Sequence, residues 1–121
     1  MFAIVVDDSA AMRRHLSKSL ERLGWQVQVA GNGVEAIKLL ETVPSCDLLL
    51  TDWHMPEMDG MDLCRAVRKE EKYNKIRIVM VTSDAVMTSI GEAVKAGAND
   101  FVMKPFTPET LSDRLAEIMK S

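Results

Sequence analysis

The chain has 121 residues, 47% of them apolar and 27% charged, with a net charge of −3. These values describe one soluble globular domain over residues 1–121, long enough to bury roughly two-thirds of the surface its unfolded form exposes. The acidic balance disfavours a nucleic-acid surface, no apolar run approaches the roughly 20 residues of a membrane span, and no signal peptide precedes the first strand, so a cytosolic, non-inserted protein is expected. Cys46 and Cys64 lie far apart with no CxxC pattern, which points to reduced thiols rather than a zinc or redox pair.

Apolar runs and helical patterns alternate along the whole length. FAIVV predicts a strand over residues 2–7. Ser9 caps a helix to about Leu23, with Met12, Leu16, Leu20 and Leu23 on one face and Gly24 as its stop. Residues 25–30 alternate as a second strand. Asn32, followed three residues later by Glu35, opens a helix to about Thr42 that Pro44 breaks. A third strand runs over about 47–51. The loop HMPEMDG then leads to a helix near 60–70, with Met61, Cys64 and Val67 on its apolar face, and to a fourth strand at 76–81. A helix over about 85–96 turns Val86, Ile90, Ala93 and Val94 inward and stops at Gly97. After a strand at 100–103, Thr107 and Pro108 open a last helix whose Leu111, Leu115 and Ile118 face the core. Five strands alternating with five helices imply an α/β fold, a parallel sheet covered on both faces.

In such a sheet the carboxyl ends of the strands face the ligand crevice. Asp7 and Asp8 close the first strand, Asp52 the third, Thr82 the fourth and Lys104 the fifth. Converging acids repel one another unless a hard cation sits among them, and oxygen-only ligation suits Mg²⁺. Acids, a hydroxyl and a lysine at strand ends describe a site that handles a phosphoryl group.

The segments VVDDS, TDWHMPEMDG, VMVTS and FVMKPF resemble the signature segments of the receiver domain of two-component response regulators. The resemblance covers the whole chain and is closest to single-domain, CheY-like members. It implies a flavodoxin-like, doubly wound five-stranded parallel sheet in the order 2-1-3-4-5. It also implies that Asp52 takes a phosphoryl group from the phosphohistidine of a sensor histidine kinase or phosphotransfer domain. Asp8 would then bind Mg²⁺ directly and Asp7 largely through water, with Asp52 and the backbone carbonyl of His54 completing the protein ligands. Lys104 and Thr82 would contact phosphoryl oxygens, and the Lys104–Pro105 peptide would be cis. Phe101 stands where the family carries an aromatic whose rotamer follows Thr82. The face built from the fourth helix, fifth strand and fifth helix would carry output to a downstream protein. His54 and Asp84 occupy positions that tune phosphate lifetime in the family. The chain would catalyse only its own phosphorylation and dephosphorylation.

Other readings fare worse. A haloacid dehalogenase-type phosphatase places an acid/base Asp two residues beyond its nucleophile, where this chain has His54. A dinucleotide site needs GxGxxG after the first strand, but Gly31-Asn32-Gly33 follows the second and lacks the third glycine. A degenerate receiver acting as a phosphorylation-independent binding module is the main alternative. It would usually have lost an acid, the threonine or the lysine, and none is lost here. Arg65, Arg68, Lys69, Lys72, Lys75 and Arg77, interleaved with Glu70 and Glu71, read as a solvated face.

Overall fold

Alternate side chains of the central strands point to opposite faces, and both faces here are apolar. Ala3 and Val5 point to one side and Ile4 and Val6 to the other, all fully buried. The computed structural model describes residues 1–43, 45–55, 58–82, 87–104 and 106–120, with only the backbone of 87–90. Along the chain run β1 (Phe2–Val6), α1 (Ala10–Arg22), β2 (Gln26–Ala30), α2 (Gly33–Thr42), β3 (Leu48–Asp52) and α3 (Gly60–Arg68). A 3₁₀ turn (Glu71–Tyr73) precedes β4 (Arg77–Thr82), α4 (Met87–Ala96), β5 (Asp100–Met103) and α5 (Pro108–Lys120). The strands are parallel in the expected order, β2-β1-β3-β4-β5.

Two cores sandwich the sheet. On one face Leu16 and Leu20 of α1 and Leu111, Leu115 and Ile118 of α5 meet Leu48, Leu50, Val79 and Val81. On the other, Ala36 and Leu40 of α2, Leu63, Cys64 and Val67 of α3 and Ala93 and Ala96 of α4 meet Ile4, Leu49, Ile78 and Met80. The caps form as expected: Ser9 accepts from the Met12 N–H, Asn32 from Glu35 and Thr107 from Thr110. Glu35 does not reach back to the Asn32 amide. Its Oε2 instead accepts from the Gly31 N–H at 2.6 Å.

Several expectations need correction. Leu23 does not join the buried stripe of α1. The helix ends at Arg22, Gly24 takes φ +91° and Leu23 is turned outward, 44% exposed. Val94 is exposed as well, because small Ala93 and Ala96 are the residues that bring α4 close to the sheet. Strand ends differ by a residue or so: Asp7 lies just beyond β1, whereas Asp52 and Thr82 are the last residues of theirs. Pro44, Val86, Asp84, the Ile90 side chain and the Lys104–Pro105 peptide lie outside the described residues.

The largest correction is Arg68, which is not simply part of a solvated face. Its Nε donates to the Gly97 carbonyl at 2.9 Å, its Nη1 to Tyr73 at 3.0 Å and its Nη2 to Ile76 at 2.7 Å. Nη2 also reaches Asn99 Oδ1 at 2.8 Å, and that oxygen accepts from the Ile78 N–H. One side chain thus joins the ends of α3, α4 and β4. Gly97 permits this, since φ is +111° and a β-carbon there would lie 2.4 Å from Arg68 Cγ.

Candidate functional site

Strand register decides which residues meet. Val6 pairs with Thr51, Asp52 with Val81 and Thr82 with Met103, so Asp7, Asp52, Thr82 and Lys104 reach one edge of the sheet together. One carboxylate oxygen from each of Asp7, Asp8 and Asp52 lies within 4.8 Å of the others. Lys104 Nζ sits 3.5 Å from Asp52 Oδ1 and 3.6 Å from Asp7 Oδ2. The Lys104 N–H donates to the Thr82 carbonyl at 2.8 Å, tying lysine and threonine across β4 and β5. Thr82 is buried, 1% exposed.

The acids differ in setting. Asp8 is exposed, Asp52 partly buried and Asp7 buried. Asp7 Oδ1 accepts from the Ser9 N–H at 2.9 Å, but its buried Oδ2, 3.6 Å from Lys104 Nζ, has no hydrogen-bond donor among the described residues. Burial pushes the Asp7 carboxyl up from its ordinary value. Asp52 and Asp8 push the same way, against the Ser9 N–H and Lys104. A raised carboxyl pKa means that ionising Asp7 costs the folded state stability as pH climbs from the unfolded value of 3.8. An oxygen-only cluster with a buried carboxylate oxygen that no donor among the described residues hydrogen-bonds fits a hard divalent cation.

Asp52 is framed by its backbone. The Trp53 N–H donates to Asp52 Oδ1 at 2.8 Å, and the Gly60 N–H donates to the Trp53 carbonyl at 2.8 Å. A β-carbon at Gly60 would lie 2.5 Å from the Asp52 carbonyl oxygen, so glycine lets α3 start against the site. The exposed His54 ring stacks on Trp53, with centroids 6.2 Å apart. Met55 and Met58 pack against the core beside them. Phe101 is half-buried on β5, with the Arg114 guanidinium 5.9 Å from its ring centroid. Asp84 lies outside the described residues. Sequence reading missed the donors from Ser9 and Trp53 and the close approach at Gly60. A glycine ending the HMPEMDG loop was the one available signal.

Like charges this close repel by about 3–4 kcal/mol at an effective dielectric near 20 before screening, and Lys104 and solvent reduce that to about 1 kcal/mol for exposed Asp8. Asp8→Ala is therefore expected to raise the melting temperature in EDTA by a few degrees, while millimolar Mg²⁺ raises that of the wild type. A wild type indifferent to Mg²⁺ in a thermal melt would contradict the cluster's reading as a cation site.

Residues 3–116 match the response regulator receiver domain family. The chain is 43% identical over 120 residues to a chemotaxis protein CheY homolog of Campylobacter jejuni, covering 98% of this chain and 92% of that one. It is 41% identical over 120 residues to chemotaxis protein CheY1 of Helicobacter pylori, covering 98% and 97%. Among solved structures, Vibrio cholerae chemotaxis protein CheY4 superposes with a TM-score of 0.92 at 32% identity, covering 97% of both chains.

Proposed function

This chain belongs to the response regulator receiver domain family, and from that premise we propose that it receives a phosphoryl group on Asp52. The supporting observation is the convergence of Asp7, Asp8, Asp52 and Lys104 at one end of the sheet. It is a phosphoaccepting response regulator of chemotaxis-type signalling, a signalling protein rather than a turnover enzyme. The whole chain, residues 1–121, acts as one receiver domain. Its donor is a phosphohistidine on a sensor histidine kinase or phosphotransfer domain, and its output goes to a downstream protein in the cytoplasm. Among the described residues no helix is long and apolar enough to cross a membrane.

An Asp52 carboxylate oxygen attacks phosphorus, the P–N bond to the donor imidazole breaks, and the imidazole takes up a proton. Asp8, Asp52, the His54 carbonyl and, through water, Asp7 would hold Mg²⁺, which supplies positive charge to the phosphoryl oxygens when bound. Lys104 places its ammonium on the same oxygens, leaving its pairing with the carboxylates. The Thr82 hydroxyl follows the phosphoryl group, and Phe101 turns inward into the space behind it. That shifts a pre-existing equilibrium of α4, β5 and α5. His54 and Asp84, two positions beyond Asp52 and Thr82 in the sequence, tune the lifetime of the acyl phosphate. The chain thus catalyses its own phosphorylation and dephosphorylation.

Trp53 offers a direct test because its N–H holds Asp52 Oδ1 and the residue is buried beside the site, 7% exposed. Trp25 is partly buried and packs against the core of the opposite sheet face. A small phosphoryl donor with Mg²⁺ is expected to change tryptophan emission in the wild type and Trp25→Phe, and not in Trp53→Phe. A response that survives Trp53→Phe and vanishes in Trp25→Phe would contradict the placement of the site.

A further inference from the structure

Resting on the reading of Asp7, Asp8 and Asp52 as the cation-holding group, we infer that Arg13 is a positioning residue for that site. Arg13 stands one turn into α1, and its Nη1 donates to the Asp7 backbone carbonyl at 2.7 Å. Asp7 is also held through its N–H, which donates to the Ala30 carbonyl at 3.1 Å, and through Oδ1, which accepts from the Ser9 N–H. These three anchors fix the residue's backbone and one carboxylate oxygen. Oδ2, the buried oxygen without a hydrogen-bond donor among the described residues, is what they leave facing Lys104 at the site.

The end of β2 lies near the same contact. A β-carbon at Gly31 would lie 2.9 Å from Glu35 Oε2 and 3.5 Å from Arg13 Nη1, so the tips of both side chains lie beside this residue. Glu35 in turn accepts from the Gly31 N–H. Arg13 thus reaches from α1 to the backbone of Asp7 and lies beside Gly31 at the end of β2.

Two roles for this cation have opposite signs. Acting through charge alone, Arg13 would repel a divalent cation, and its removal would tighten Mg²⁺ binding. As a brace, its removal frees the Asp7 carbonyl and loosens the ligand set. Loss of a partner supporting a ligating group typically weakens metal affinity by about 10-fold or more. Arg13→Met is expected to weaken Mg²⁺ binding about tenfold, as measured by calorimetry on the full chain. Arg13→Lys is expected to fall between the two, because an ammonium keeps the charge without the planar fork. Labelling of Arg13→Met by a small phosphoryl donor is expected to be slow at limiting Mg²⁺ and to recover at saturation, which a general loss of folding would not produce. Arg13→Lys, which keeps the charge and most of the stem, decides the matter if Arg13→Met does not fold. Unchanged or tighter Mg²⁺ binding in these variants, with a wild type that binds Mg²⁺, overturns the role of Arg13 alone. A wild type that binds no Mg²⁺ overturns the site and this inference together.

Discussion

Arg68→Met is expected to lower the unfolding free energy by about 2–4 kcal/mol and the melting temperature by about 10 °C. Methionine keeps the apolar stem and removes donors that reach Gly97, Tyr73, Ile76 and Asn99. A hydrogen bond from a charged donor is worth about 1.5–3 kcal/mol, and water at the half-exposed acceptors offsets part of each loss. Burial lowers the Arg68 pKa from its ordinary value, yet the guanidinium stays charged at any working pH. Arg68→Lys is expected to recover little, because one ammonium cannot span acceptors on three elements. Urea unfolding checks this: a midpoint equal to wild type in Arg68→Met would show that water replaces the guanidinium without loss.

The same residue shows where sequence reading stops. In the linear chain Arg68 sits among Arg65, Lys69, Lys72 and Lys75, and nothing local separates it from them. Its role arises only once the ends of α3, α4 and β4 meet, and the turn at Gly97 was visible merely as a helix stop. Arg13 and Glu35 were hidden for the same reason, since each acts on the backbone of another element. Leu23 and Val94 failed differently. The periodic pattern identified the helices correctly, but exposure of a residue at the edge of an apolar stripe depends on where the helix ends and on which neighbours are small.

What was legible rests on strong local constraints. Doubly buried strands must be continuous apolar runs, so β1, β3 and β4 were plain in the sequence. Parallel strands must all present their carboxyl ends at one edge, so polar residues that close such runs are brought together whatever the details of packing. Asp7, Asp8, Asp52 and Lys104 were legible as a group for that reason, and the structure assembles them. The strand order was not legible from the runs themselves. It came with the resemblance carried by four separate motifs.

The acceptor role of Asp52 is tested most directly by intact-mass measurement after incubation with Mg²⁺ and a small phosphoryl donor. Asp52→Asn keeps the size of the side chain and one oxygen to receive the Trp53 N–H, but removes the nucleophilic carboxylate. The wild type is expected to gain the mass of one phosphoryl group and the Asn variant none. Equal labelling of the two proteins, or a phosphate located on a peptide that lacks Asp52, would contradict it.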